Sequence, residues 1–276
     1  IMPEFIVGVR LHDYGKGTID ELLGRVAADG FSAVQLAYKK CIPSVKSYAD
    51  VTDTLVADTL AAQSAYHVKT AVLGTYVELA INDESRLQNV ADFKSQLAVC
   101  KALGAGCIGT ETTNMFKQPA GTTREEAQDL LCRSLAEILP VAEELGVLVA
   151  VEPVTYHSMN SPAAVRHILD TLRSPNLKVI FDMSNLVDAG SVDHQVAIWD
   201  QVGELWGDQI VAVHFKGQSF KPDGSLLSTS LEESRTDYAG AFAMLHQLPQ
   251  AVLPVLREEA VPARAASDIA FMKGYF

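Results

Sequence analysis

The 276-residue chain has no apolar run near the roughly 20 residues that a helix needs to cross a bilayer, which argues against a membrane-spanning protein. Basic residues are scarce. Twenty-two Lys and Arg against 34 Asp and Glu leave a net charge of −12, which argues against a broad contact with a nucleic-acid backbone and leaves room for a local basic pocket. Cysteine is sparse too: Cys41, Cys100, Cys107 and Cys132 form no CxxC pair, and none neighbours a His. Free thiols in a reducing compartment are expected, and with them a cytoplasmic location. The opening IMPEFIVGVR lacks a basic segment followed by an apolar one, so no signal peptide is expected. No Gly-rich phosphate cradle, Ser-His-Asp pattern, compositional break or low-complexity linker is present, and residues 1–276 read as a single domain.

What the chain does have is alternation. Segments rich in Val, Ile and Ala read as buried strands: EFIVGVRL, FSAVQLAY, KTAVLG, GCIGTE, VLVAVE, KVIFD, IVAVHF and AVLPVLRE. Helical stretches separate them. One carries a capping box, Thr18 with Glu21 three residues on, and stops at Gly30. Others run over about 48–66 and 84–103, from a Thr122 or Thr123 cap to Gly146, from Ser161-Pro162, over DHQVAIWDQVGELWG, over about 231–247, and through the tail PARAASDIAFMKGYF. Eight strands and eight helices in strict alternation predict an α/β fold, a closed (β/α)8 barrel. A doubly wound open sheet fits less well, because no GxGxxG follows the first strand.

Four residues able to bind metal sit one at a time at the ends of successive strands: Glu152, Asp182, His214 and Glu258, spaced by 30, 32 and 44 residues. In such a barrel the strand C-termini form one rim, where active sites lie. A polar residue at a single strand tip has a bland explanation, as a loop cap or a partner for Lys. Four in register on adjacent strands would carry a large like-charge penalty without a cation. A divalent ion, Mn, Mg, Co or Zn, removes it, and three carboxylates with one imidazole suit such an ion with positions left open for substrate. Of the consecutive Glu258 and Glu259 only one can face inward. Counting from Pro254 selects Glu258 and leaves Glu259 outside, to pair with Arg257 or Arg264. Trp199 and Trp206, seven apart on one helix, read as a packing stripe.

The Glu-Pro after strand five, FDxxN after strand six, HxK after strand seven and the final strand Glu resemble the xylose isomerase-like TIM barrels. That superfamily holds sugar isomerases, ketose 3-epimerases, inosose dehydratases and endonuclease IV. The resemblance covers nearly the whole chain. It implies one divalent metal on Glu152, Asp182, His214 and Glu258, with Glu152 and Glu258 as acid-base groups on opposite faces of a sugar. The implied reaction is isomerisation or epimerisation of a small sugar or keto-sugar, phosphorylated or not, by proton transfer through a metal-stabilised cis-enediolate. Alternatives on the same site are a sugar or inosose dehydratase and a non-catalytic sugar-binding barrel. A homo-oligomer is also implied.

The chain departs from that pattern in places. Epimerases carry DxxH after strand six, and here the segment is Asp182-Met183-Ser184-Asn185. Asn185 can hydrogen-bond a hydroxyl but takes up no proton at neutral pH. A second substrate-binding Glu of the epimerases corresponds to Ser158, with His157 before it. Histidines that a three-zinc nuclease needs are missing at strands two and three, and Asn185 stands where a ligand His would be. Substrate-contact candidates at the rim are His12, Glu111, His157, Asn185 and Lys216. His12 and His157 serve equally well as loop histidines, and Lys216 as a partner for Asp182.

Overall fold

A computed structural model describes residues 2–276. The strands are β1 (Glu4–Arg10), β2 (Ala33–Leu36), β3 (Lys69–Gly74), β4 (Cys107–Glu111), β5 (Val149–Glu152), β6 (Leu177–Asp182), β7 (Ile210–Phe215), β8 (Gly217–Phe220), β9 (Leu226–Thr229) and β10 (Val252–Arg257). Eight of them close in the order β1-β10-β7-β6-β5-β4-β3-β2, and every pair is parallel. The helices are α1 (Ile19–Ala28), α2 (Tyr38–Cys41), α3 (Asp53–Tyr66), α4 (Asp83–Leu103), α5 (Arg124–Leu145), α6 (Pro162–Leu172), α7 (Gln195–Trp206), α8 (Tyr238–Leu245) and α9 (Ala265–Lys273). The closed (β/α)8 barrel expected from the alternation is the fold observed.

Local chemistry explains where the helices start and stop. Thr18 and Thr123 each accept from the backbone N–H three residues on, and Glu21 and Glu126 return the bond. Ser161 caps α6 with Pro162 in its first turn. Gly104 and Gly146 take left-handed conformations that end α4 and α5.

Three departures from the sequence reading stand out. The stretch before Asp53 is a 3-10 turn, Tyr48–Asp50, rather than helix. The helix expected over 231–247 begins only at Tyr238, where Asp237 caps it by accepting from the Gly240 N–H. The chain after β7 makes an antiparallel hairpin, β8 with β9, which the alternation gave no reason to expect.

Two layers of core follow from strand parity. Side chains facing the helices, among them Val151, Phe181, Phe215 and Val255, join the helix faces in one large cluster. Trp199 and Trp206 are buried in it, edge-on to Phe181 at 5.7 and 6.0 Å, as a packing stripe should be. The barrel interior is filled by a smaller cluster of Ala33, Val72, Cys107, Ala150, Ile180, Ala212 and Leu256. Packing there leaves no room at Gly109, whose absent Cβ would lie 2.6 Å from Ile180 and 2.8 Å from Val72.

Candidate metal centre

The interior layer positions the site. Side chains alternate along a strand, so the residue two beyond each interior apolar residue also points inward, one layer nearer the C-terminal rim. Glu152 follows Ala150, Asp182 follows Ile180, His214 follows Ala212 and Glu258 follows Leu256. All four are buried. Register brings them level: Asp182 pairs with His214, and Glu111 with Glu152. Pairing slips just before Gln35 on β2 and just before Ile180 on β6. Irregularities of that kind re-aim side chains beside functional sites.

His214 is the hub. Its Nε2 lies 2.8 Å from Gln35 Oε1, an amide oxygen that only accepts, so the proton resides on Nε2. Nδ1 then presents its lone pair to Glu152 Oε2 at 3.3 Å, Glu258 Oε1 at 3.4 Å and Asp182 Oδ2 at 4.0 Å. His214 Nδ1 is buried without a hydrogen-bond partner, and Asp182 Oδ2 meets only the Lys216 ammonium, at 3.1 Å. A lone pair facing three carboxylates requires a positive charge between them, either a proton or a metal ion. Burial works against a charged ring, yet Glu258, Glu152 and Asp182 together raise the imidazole to about 9.

Ligand atoms of Glu152, Asp182 and His214 lie within 4.8 Å of one another and could hold a metal ion. Lys216 stands beside them, its Nζ 3.1 Å from Asp182 Oδ2 and 3.9 Å from Glu258 Oε2. It donates to Asn185 Oδ1 at 2.6 Å, and Asn185 Nδ2 donates to Glu152 Oε1 at 2.6 Å. The Asn185 backbone N–H donates to Asp182 Oδ1 at 2.9 Å. Burial opposes the Lys216 charge, but Asp182, Glu258 and Glu152 hold its ammonium well above the usual lysine range. Arg10 also approaches Glu258 Oε1 at 3.7 Å but is paired to Asp13 at 2.8 Å, so with Lys216 the cluster keeps an excess of negative charge that a divalent ion would offset.

Beside the cluster, a recess of about 10 Å³, room for one water or ion, reaches from Gln35, Thr110 and Glu152 down to Val72 and Ile180 of the interior layer. It shares Tyr76, Thr110 and Glu111 with a polar cavity of about 490 Å³ that also meets Arg10, Lys40 and His157. The Glu111 side chain is 46% exposed to that cavity. The crowding walls and then the Glu152 and Glu258 charges push its carboxyl up to about 7. His157 Nε2 is 4.0 Å from Glu111 Oε2, and burial lowers its ring to about 4. His12 stands edge-on to Tyr76 at 5.7 Å, with Nε2 3.5 Å from the Tyr76 hydroxyl. Burial, then Arg10 and Lys40, lower it to about 3, so it is neutral.

The structure thus gathers Glu152, Asp182, His214, Glu258, Asn185 and Lys216 in one cluster, with Glu111 and His157 on the cavity above and His12 against its wall. The expected pairing of Glu259 is corrected. Arg257 pairs with Asp268 at 2.8 Å and Arg264 with Glu232 at 2.9 Å, while Glu259 accepts from Ser228 Oγ at 2.7 Å. Sequence reasoning gave no role to Tyr76 or Arg10. Arg10, like Gln35, ends a strand, and that position was its signal. Tyr76 owes its place to a left-handed φ of 53° just past β3, which composition does not announce.

Solved structures resemble this barrel over nearly its whole length. A D-tagatose 3-epimerase-like protein superposes with a TM-score of 0.77 at 14% identity, over 98% of this chain and 96% of that one. An IOLI protein with a zinc atom gives 0.75 at 17%, over 98% and 95%. A 3-keto-D-glucoside 4-epimerase from E. coli gives 0.72 at 16%, over 98% and 100%. No curated protein matches the sequence. A family profile described as "Xylose isomerase-like TIM barrel" matches residues 23–274, and the chain belongs to that family.

Proposed function

We propose that the chain is a metal-dependent sugar isomerase or epimerase, holding one divalent ion on Glu152, Asp182, His214 and Glu258. One observation carries this: a buried imidazole, its Nε2 engaged by Gln35, turns Nδ1 toward three carboxylates that share a single ammonium, Lys216. The solved structures of similar fold include a zinc-containing protein and sugar epimerases, which supports the reading. A bound divalent ion would supply Lewis-acid chemistry, lowering the pKa of the carbon acid next to a sugar carbonyl.

The chain's own groups do the remaining work. Glu152 and Glu258 approach His214 from different strands, so each can serve one face of a sugar seated between them. One removes the proton, an enediolate forms, and the other returns a proton to the opposite face or the adjacent carbon. Lys216 holds Asn185, and Asn185 holds Glu152, so the Glu152 carboxylate keeps a fixed orientation. Tyr76, Thr110 and Glu111 line the approach and can bind hydroxyls.

Elemental analysis tests the metal: about one ion per chain is expected, and Asp182→Ala should lose it. Exchange of a substrate C–H in heavy water tests the proton transfer. Glu152→Gln and Glu258→Gln should each slow it by about 10²-fold or more. Unchanged turnover in both would remove the acid-base assignment. Loss of water from the substrate would place the reaction with the dehydratases instead.

A further inference from the structure

The polar cavity is basic at one end. Strands β1, β2 and β3 are neighbours in the barrel, and the residues at or just past their ends bring Arg10, Lys40 and Tyr76 to one stretch of the cavity wall. Lys40 belongs to α2, and its Nζ lies 3.6 Å from the centre of the Tyr76 ring. The ring face holds the ammonium in place without neutralising it. Arg10 donates from Nε and Nη2 to Asp13 Oδ1, at 3.0 and 2.8 Å, which leaves Nη1 with one distant contact, Glu258 Oε1 at 3.7 Å. Asp13 is fixed in turn by the Ala260 N–H, at 2.9 Å. Lys117, the third cation on the wall, is paired with Glu78. Lys40 alone of the three has no carboxylate partner among the described residues. Arg10 and Lys40 are close enough to repel. Burial and then Arg10 lower the Lys40 ammonium below the usual lysine range, and each carboxylate in range, Glu111, Glu258 and Asp13, attracts it less than Arg10 repels it. The same two charges, after burial, lower His12.

Two cations that share no carboxylate leave a place for an anion from outside the chain. A hydroxyl can accept from either and leaves their repulsion standing, whereas an oxyanion takes a charge-assisted hydrogen bond from each and relieves it. Glu258 joins this end of the cavity to the candidate metal centre, since its Oε1 lies 3.4 Å from His214 Nδ1 and 3.7 Å from Arg10 Nη1. The cavity, at about 490 Å³, is of a size for one small molecule. A molecule with its carbonyl at the cluster has its far end toward Arg10 and Lys40. Building on the isomerase or epimerase reading, we infer that the substrate is an anionic keto-sugar, whose terminal carboxylate or phosphate binds between Lys40 Nζ and Arg10 Nη1. The ketone that proton transfer needs stays at the cluster, and the anionic group fixes which end of the sugar meets it.

The test is calorimetric binding to the full chain at low salt with Mn²⁺ added. D-fructose is compared with D-fructuronate and D-fructose 6-phosphate, and D-tagatose with D-tagaturonate and D-tagatose 6-phosphate. At least one anionic sugar should bind about tenfold or more tighter than its neutral parent. Lys40→Met keeps an aliphatic contact with Tyr76 and removes the charge, and it should cut that ratio to about threefold or less. Lys40→Arg, which restores the charge, should keep most of the preference. Preference for a uronate identifies the group as a carboxylate and preference for a sugar phosphate as a phosphate; either supports the inference. It is overturned if no anionic sugar is preferred. It is equally overturned if Lys40→Met keeps the full preference, since the anion would then sit on the metal ion. Metal content of the same samples separates the two readings. A metal-free chain that prefers an anionic sugar overturns the metal centre and leaves the anion subsite; a metal-loaded chain without preference overturns the subsite alone.

Discussion

His214 depends on Gln35 as much as on the carboxylates. Without an acceptor at Nε2 the ring can turn or place its proton on Nδ1, where it would block a metal. Gln35→Leu should therefore weaken metal affinity about 10–100-fold while the chain stays folded. Metal titration checks this, and an unchanged affinity would remove Gln35 from the site. The four acidic and imidazole residues were legible one by one, because each closes a Val-rich strand. The Gln35 contact was not, because 179 residues separate the partners and only barrel closure brings β2 opposite β7.

Among the elements, β10 and α9 share the best-defined dependency. Parity turns Arg257 away from the barrel interior, where Asp268 of α9 meets it; both are almost fully buried. Arg257 also donates to the Glu258 carbonyl, fixing the backbone just where Glu258 turns inward. Arg257→Met should cost about 3 kcal/mol in urea unfolding, since buried Asp268 then keeps only the longer contact with Arg264 at 3.8 Å. Arg257→Met/Asp268→Leu should recover much of that loss, and a single variant no worse than the double would contradict the pairing. At the other kind of boundary, Thr123→Ala removes one half of a capping box on α5 and should cost about 1 kcal/mol by the same measurement. Caps of this sort are local, so Thr18, Thr123 and Ser161 could be found without coordinates. The β8–β9 hairpin could not: GQSF and LLST carry too few apolar positions to signal strands, and their pairing rests on the turn around Gly224.

For the whole molecule, a divalent ion held as proposed would tie together four strands of the barrel, β5, β6, β7 and β10. An ion that binds only the folded chain raises stability by about 2.7 kcal/mol at a hundred times its Kd. For a chain of this size that corresponds to about 5 °C or more in Tm. Chelator-treated protein should melt lower by that amount and recover on addition of Mn²⁺ or Zn²⁺; identical melting curves would count against a resident ion. Alternation and capping, both local in the chain, specify the barrel, and the two-residue period of strands puts acidic and imidazole residues at one rim. Tertiary structure decided the rest. Strand register set Asp182 against His214, closure set Gln35 against the same ring, and loop packing set Lys40 over Tyr76. Each of these is a contact between segments far apart in sequence, fixed by how the strands align and how the loops fold over them.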